Sequence, residues 1–193
     1  MKNICSILFL AFLISCSSNN NSSSEVDLGG YEQEDLGGVT YVYKVETTGV
    51  KVSDGYIRNG KKDGLWTTYD PSGGSIQKLE NYIKGSLHGP TIVLNKRGQL
   101  DSEAHYVNGK LHGKSATYKF GRPLKETYYK NDVIDGLHKE YFNNGKLQKA
   151  VNFKDGKQHG SFKQYNEEGV IIMKYEYENG EKMSGGVVEN ATQ

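Results

Sequence analysis

The chain has 193 residues, with 24 Lys plus Arg against 23 Asp plus Glu and a formal net charge of +1. Interspersed charges of both signs exclude the one-sided basic footprint that neutralises nucleic-acid phosphates. A 35% hydrophobic content with 14 tyrosines, 24 glycines and three prolines points to short strands and tight turns rather than helices.

The N-terminus reads MKNICSILFLAFLISCSSNNNSSS. Lys2 precedes an apolar run, Ile4 to Ile14, of the length a signal-peptide core requires. It is too short for a spanning helix, which needs roughly 20 apolar residues. The run ends in Leu13-Ile14-Ser15-Cys16, which resembles the bacterial lipobox. That resemblance implies cleavage after residue 15 and lipidation of Cys16. Cys5 would be lost with the signal, leaving Cys16 alone and excluding an intrachain disulfide. The Asn21 and Asn190 sequons would carry little weight if the source is bacterial, as the lipobox resemblance implies.

Residues 16–38 are expected to form a flexible tether. SSNNNSSS at 17–24 has nothing to bury. EVDLGGYEQEDLGG at 25–38 holds five acidic residues and no basic one, and reads as an extended linker or an anionic docking segment. VTYVYKVE, from Val39, is β-branched and aromatic and opens the N-terminal capping strands, 39–55.

From Tyr56 to Gly185 the chain repeats. Units open on Tyr56, Tyr82, Tyr106, Tyr129, Phe153 and Tyr177. A glycine follows at Gly64, Gly89, Gly113, Gly136, Gly160 and Gly185, and five residues later stand Tyr69, Leu94, Tyr118, Tyr141 and Tyr165. Asn59-Gly60, Asn108-Gly109, Asp155-Gly156 and Asn179-Gly180 suit the two-residue hairpin turn with positive φ at both positions. The second turn of each unit carries Gly73, Gly98, Gly121, Gly145 or Gly169, and Asp70-Pro71-Ser72-Gly73 fits a type I turn followed by a glycine bulge. Alternation places Ile171, Met173, Tyr175 and Tyr177 on one face, and likewise Leu147 with Val151 and Leu100 with Ala104. The fold expected is an all-β, elongated antiparallel meander of about a dozen strands, solenoid-like because lone hairpins are barely stable. Residues 186–193 form a tail.

YVNGKLHGKSATY at 106–118 and FKDGKQHGSFKQY at 153–165 resemble the bacterial variant of the MORN repeat, over residues 56 to 185. The whole array resembles the YwqK-type antitoxin family, often secreted lipoproteins. The resemblance implies elongated β-scaffolds that contact protein or lipid, without catalysis by the repeats.

His88, His112 and His159 each precede a unit glycine, where Asp63 and Asp135 stand in other units. A two-strand unit advances a sheet by roughly 10 Å, so these histidines stand too far apart to share a zinc ion. They read as repeat residues beside a turn. No catalytic, cofactor or metal site is expected. Gly64, Gly89, Gly113, Gly136 and Gly160, with Tyr69, Tyr118, Tyr141 and Tyr165, are assigned structural roles, and Cys16 the anchor. The function expected is a membrane-anchored scaffold for an envelope protein, at the outer membrane and antitoxin- or immunity-like by resemblance. The alternative is a glycan or peptidoglycan binder using exposed tyrosines.

Overall fold

The computed structural model describes residues 26–188. The signal peptide, Cys16, the polar tether and both sequons lie outside the described residues. Fifteen strands follow in chain order: β1 (Glu32–Asp35), β2 (Thr40–Val45), β3 (Lys51–Arg58), β4 (Lys61–Lys62), β5 (Gly64–Tyr69), β6 (Ile76–Ile83), β7 (Ser86–Leu94) and β8 (Leu100–Val107). Then come β9 (Lys110–Lys119), β10 (Arg122–Lys130), β11 (Val133–Tyr141), β12 (Leu147–Lys154), β13 (Lys157–Tyr165), β14 (Ile171–Glu178) and β15 (Glu181–Val187). They form one antiparallel sheet in strictly sequential order, with the short β4 pairing β3 off the main path. The expected all-β meander is the fold.

The first turns have the expected geometry. Asn108 and Gly109 have φ of 51° and 79°, and Asn179 and Gly180 of 52° and 94°. Asn131-Asp132 manages the same pair of left-handed residues, at 51° and 70°, as aspartate tolerates. Lys84-Gly85 is a further such turn. Each turn also bonds to the unit before it. Gly85 N–H donates to Lys62 O, Gly109 to Leu87 O, Gly156 to Ile134 O and Gly180 to Gln158 O, at 2.8–2.9 Å. In the Asp70 turn the left-handed residue is Gly74, at φ 67°, one beyond the expected Gly73.

Two register shifts recur in every full unit and set which way side chains point. Near the second turn, one residue of the returning strand is left unpaired. Asp101 is skipped between Leu100 and Ser102, Gln148 between Leu147 and Lys149, and Ile172 between Ile171 and Met173. Such a bulge breaks the two-residue alternation. Leu100, Leu147 and Ile171 therefore pair with Leu94, Tyr141 and Tyr165, on the face opposite Ala104, Val151 and Met173. The one-face alternation expected for these three residues is overturned.

The second shift is at the unit glycine. Glu80 pairs Thr91 and Tyr82 pairs Leu87, so His88-Gly89-Pro90 stands across from Asn81 alone. Residues 112–114 face His105 in the same way, 135–137 face Tyr128 and 159–161 face Asn152. On its other side the glycine pairs with the next unit's opening aromatic: Gly64 with Tyr82, Gly89 with Tyr106, Gly113 with Tyr129, Gly136 with Phe153 and Gly160 with Tyr177. By this register the first unit opens on Ile57, which pairs Lys62, and not on Tyr56, which pairs Tyr41 and points to the other face. In the last unit Ser184, not Gly185, stands seven residues after the opener. The three-for-one excursion is replaced there by a one-residue shift.

We call the face carrying Trp66, Thr91, Thr127, His138 and Val151 the front. These residues are buried, as are Val42 and Ile57 on the same face. Val42, Ile57 and Trp66 form the core cluster, with Val26, Leu28, Tyr31 and Tyr82 packed against it. The Trp66 ring lies over Gly55, where a Cβ would collide with the indole, and its Nε1 donates to Tyr56 O. Tyr31 meets it edge-on with centroids 6.2 Å apart. Residues 26–38 are thus not the expected linker. Their first part covers the front of the first strands, and Glu32–Asp35 adds an all-exposed acidic edge strand against β2. Edge strands rich in charge resist pairing with other chains.

Candidate functional site: tyrosine–carboxylate groups on the back face

The back face carries the unit tyrosines, and three of them share one arrangement. Tyr118 Oη donates to Glu103 at 2.5 Å, Tyr141 to Glu126 at 2.8 Å and Tyr69 to Asp54 at 3.2 Å. Each acid lies 15 residues before its tyrosine. The antiparallel register explains the interval. Ala116 pairs Glu103 and Lys139 pairs Glu126, and the tyrosine lies two residues further along the same face. A lysine completes each group: Lys114 on Glu103 at 2.5 Å, Lys139 on Glu126 at 3.8 Å and Lys51 on Asp54 at 3.1 Å. The second unit has Leu79 and Leu94 in place of acid and tyrosine, and the fifth sets Ala150 before Tyr165. Sequence reading found the tyrosines as structural repeat residues and missed the carboxylates. An acid at a fixed 15-residue offset was the available signal.

In the Glu103 group the acid and the phenol shift in opposite directions. Burial pulls the Glu103 carboxyl upward, but the Lys114 and Tyr118 hydrogen bonds outweigh it and leave it below its usual value. Tyr118 and Tyr141 are raised, first by burial and then by the neighbouring carboxylate. The hydrogen bonds fix the three tyrosine rings in place along the back face. At the N-terminal end the tyrosines gather. Tyr41 Oη also donates to Asp54, at 2.8 Å, and Tyr43 to Glu32 at 2.5 Å. The rings of Tyr41 and Tyr43 stack at 5.7 Å, and Tyr41 meets Tyr56 at 5.4 Å. Tyr41, Asp54, Tyr56, Leu65 and Tyr69 border a shallow hollow of about 320 Å³.

The pre-glycine residues turn out to face the next unit's first turn. Asp63 accepts from Lys84 N–H at 3.3 Å and Asp135 from Asp155 N–H at 3.0 Å. His159 Nδ1 accepts from Asn179 N–H at 3.4 Å, and His112 Nδ1 lies 3.4 Å from Asn131 Oδ1. His88 Nδ1 is buried with no hydrogen-bond partner. The buried histidine is on the front: His138 lies between Thr127 Oγ1 at 2.9 Å and Glu140 Oε1 at 3.0 Å. That order resembles a hydrolase relay, but Thr127 is only 2% exposed. Among the described residues, no group of three or more His, Cys, Asp or Glu is placed to hold a metal ion.

The unit glycines are held by backbone conformation, and at Gly136 also by a close approach. All five have positive φ, from 83° at Gly160 to 116° at Gly136. A Cβ on Gly136 would lie 3.1 Å from Tyr128 Cβ, and one on Gly113 3.4 Å from His105 Cβ.

No curated protein matches this chain. Among solved structures it is similar to a mutant of S. aureus TarM in complex with fondaparinux, alpha-GlcNAc-glycerol and UDP. That match is 14% identical, with a TM-score of 0.31, and covers 68% of this chain and 21% of that one. A second TarM structure matches at 15% identity and TM-score 0.30, covering 67% and 22%. The chain spans about a fifth of the length of these structures, and the likeness is too low to establish a shared fold. Two segments, residues 134–155 and 158–179, match the family model described as the MORN repeat variant. Each runs from the second strand of one hairpin, through the second turn, to the opening aromatic of the next, and so contains the Gly–aromatic cross-strand pair. Both segments are thus similar to the MORN repeat variant, and the same hairpin unit recurs along the ladder.

Proposed function

We propose that this protein is a non-catalytic β-repeat scaffold that binds a partner protein along its sheet, held at the bacterial cell envelope by lipidation of Cys16. The observation that carries the binding role is the back-face array of tyrosine–carboxylate–lysine groups. Tyrosine offers large, stiff contact area at low entropic cost, and paired charges around it set register and partner choice. Stacked repeats extend such a surface beyond what a small globule offers. The anchor rests on the lipobox, and outer-membrane sorting on the absence of an acid directly after Cys16. The antitoxin resemblance narrows the role to an immunity-like or adaptor protein, since a signal peptide removes the chain from the cytosol. In-cell crosslinking of the anchored protein tests this. A captured envelope protein that is lost when Tyr118 and Tyr141 are both changed to Ala is the expected result. Capture unaffected by that change would remove the back face from the account.

A second reading, binding of an envelope glycan or peptidoglycan, is favoured by the hollow among Tyr41, Tyr56 and Tyr69. Titration with soluble peptidoglycan fragments, followed by tyrosine fluorescence, separates the two. Saturable binding without any protein partner supports the glycan reading.

A further inference from the structure

Two neighbouring second turns break the rule the other turns obey. At the first turn position, Asp70 Oδ1 accepts from Ser72 N–H, Asn95 Oδ1 from Arg97 N–H at 2.9 Å, and Asn166 Oδ1 from Val170 N–H at 2.8 Å. Such side-chain closure is why these residues favour turns. In the fourth unit this position is Phe142, and capping falls to Asn144, whose Oδ1 accepts from Lys146 N–H. In the third unit the loop shrinks to Phe120-Gly121, with φ of 52° and 76°. That two-residue turn calls for Asn, Asp or Gly at its first position. Phenylalanine with positive φ is a rare, strained choice. It is also 68% exposed, so no packing within the chain recovers the cost.

The two departures converge. Phe120, Leu124 and Phe142 border a single recess of about 280 Å³, with Lys119, Arg122 and Asn143. Lys119 Nζ lies 5.9 Å from the Phe120 centroid, and Arg122 extends across to Gly145 of the adjoining turn. Neither cation has an ion pair among the described residues, and no acid lines the recess. We infer that this recess is a docking site for an acidic peptide segment of a partner protein, with one aliphatic or aromatic anchor seated between Phe120 and Phe142. The carboxylates of the segment meet Lys119 and Arg122. The concavity favours a side chain over a flat membrane surface, and the two unpaired cations select the sign of the segment. The inference rests on the scaffold reading and names where, and for what chemistry, the scaffold binds.

The turn supplies its own control. Phe120→Asn installs the residue the turn prefers, so the variant must fold and unfold at the wild-type temperature or above. The test is selection of phage-displayed random peptides on the full chain in mild detergent, with affinities of the selected peptides then measured by fluorescence polarisation. The expected peptides carry two or more Asp or Glu beside a Leu or Phe, and bind Phe120→Asn and Arg122→Glu about tenfold more weakly or worse. Peptides without acidic bias, or binding Phe120→Asn as tightly as wild type, would overturn the inference. Peptides lost instead on Tyr118→Ala and Tyr141→Ala would sink the recess and leave the scaffold standing, whereas no peptide here and no crosslinked protein in cells would sink both. Phe120-dependent self-association in sedimentation, or Phe120-dependent binding to phosphatidylglycerol vesicles without any selected peptide, would assign the recess to another occupant and refute it.

Discussion

Gly136 and Gly98 separate two costs that glycine avoids. Both have positive φ, but a Cβ at Gly98 meets nothing within 4 Å, whereas at Gly136 it meets Tyr128 at 3.1 Å. Gly98→Ala is expected to cost about 1 kcal/mol of strain, and Gly136→Ala about 2–3 kcal/mol because the crossing strand must also move. Urea unfolding of the two variants compares them, and equal losses would show that the close approach does not matter. The histidines are the opposite case. Changing His88, His112 and His159 together to Asn is expected to shift the melting temperature by less than about 4 °C. Their turn contacts are 3.4 Å long or unmade, and aspartate serves at the same place in two other units. A larger loss, or zinc that copurifies with wild type and not with the variant, would contradict this. The glycine spacing was legible in the sequence. Its cause was not, because it depends on which residue stands across the ladder. That same register moved the first opener from Tyr56 to Ile57.

At the scale of strands and caps, the single tryptophan reports on the N-terminal cover. Val26, Leu28 and Tyr31 exclude water from Trp66, so Tyr31→Ala is expected to red-shift its emission and cost about 1–2 kcal/mol. Unchanged emission would mean that the cover is not seated in solution. The cover escaped sequence reading because its apolar residues follow no strand period and lie among acids, a composition that also suits a linker. The bulges at Asp101, Gln148 and Ile172 escaped for a related reason. Alternation carries through an extra residue on paper, while the backbone changes face. The tyrosine–carboxylate pairs predict an acid dependence. The Glu103 carboxyl is depressed in the folded state, so its contribution is present above the unfolded glutamate pKa and fades as pH falls through the folded value. Between about pH 5 and 3, wild type should lose stability faster than Glu103→Gln. The difference stays below about 1 kcal/mol because water still reaches the group. Parallel curves over that range would show that the pair adds nothing.

Across the whole molecule, each strand pairs only with its ladder neighbours. Stability of such an array is a sum of units and nearest-neighbour interfaces. Removal of residues 171–193 should therefore leave the preceding units folded, with Trp66 emission unchanged and only the far-ultraviolet signal reduced. Global unfolding of that truncation would require coupling that the topology does not contain. The two margins of the sheet also differ. The first is short and acidic, whereas β15 exposes Met183 and Val187, leaving the C-terminal side the more open to pairing. At this scale Cys16→Ser should move the protein out of the detergent-extracted membrane fraction without unfolding it. Two or more acyl chains give stable membrane attachment where one holds only marginally. Unaltered fractionation of that variant, or no uptake of labelled fatty acid by wild type, would refute the anchor.

The sequential ladder also fixes how the molecule answers to mechanical load. With β1 and β15 at opposite margins, tension between the chain ends runs across the strands and along their inter-strand bonds. The force falls on the outermost pair alone and peels the sheet open one hairpin at a time. A body pulled in this way lengthens in small, reversible steps at low force instead of rupturing once at high force. If one end is tethered to the envelope and the other carries a bound partner, the array becomes an extensible link, each yielded hairpin paying out one repeat of slack.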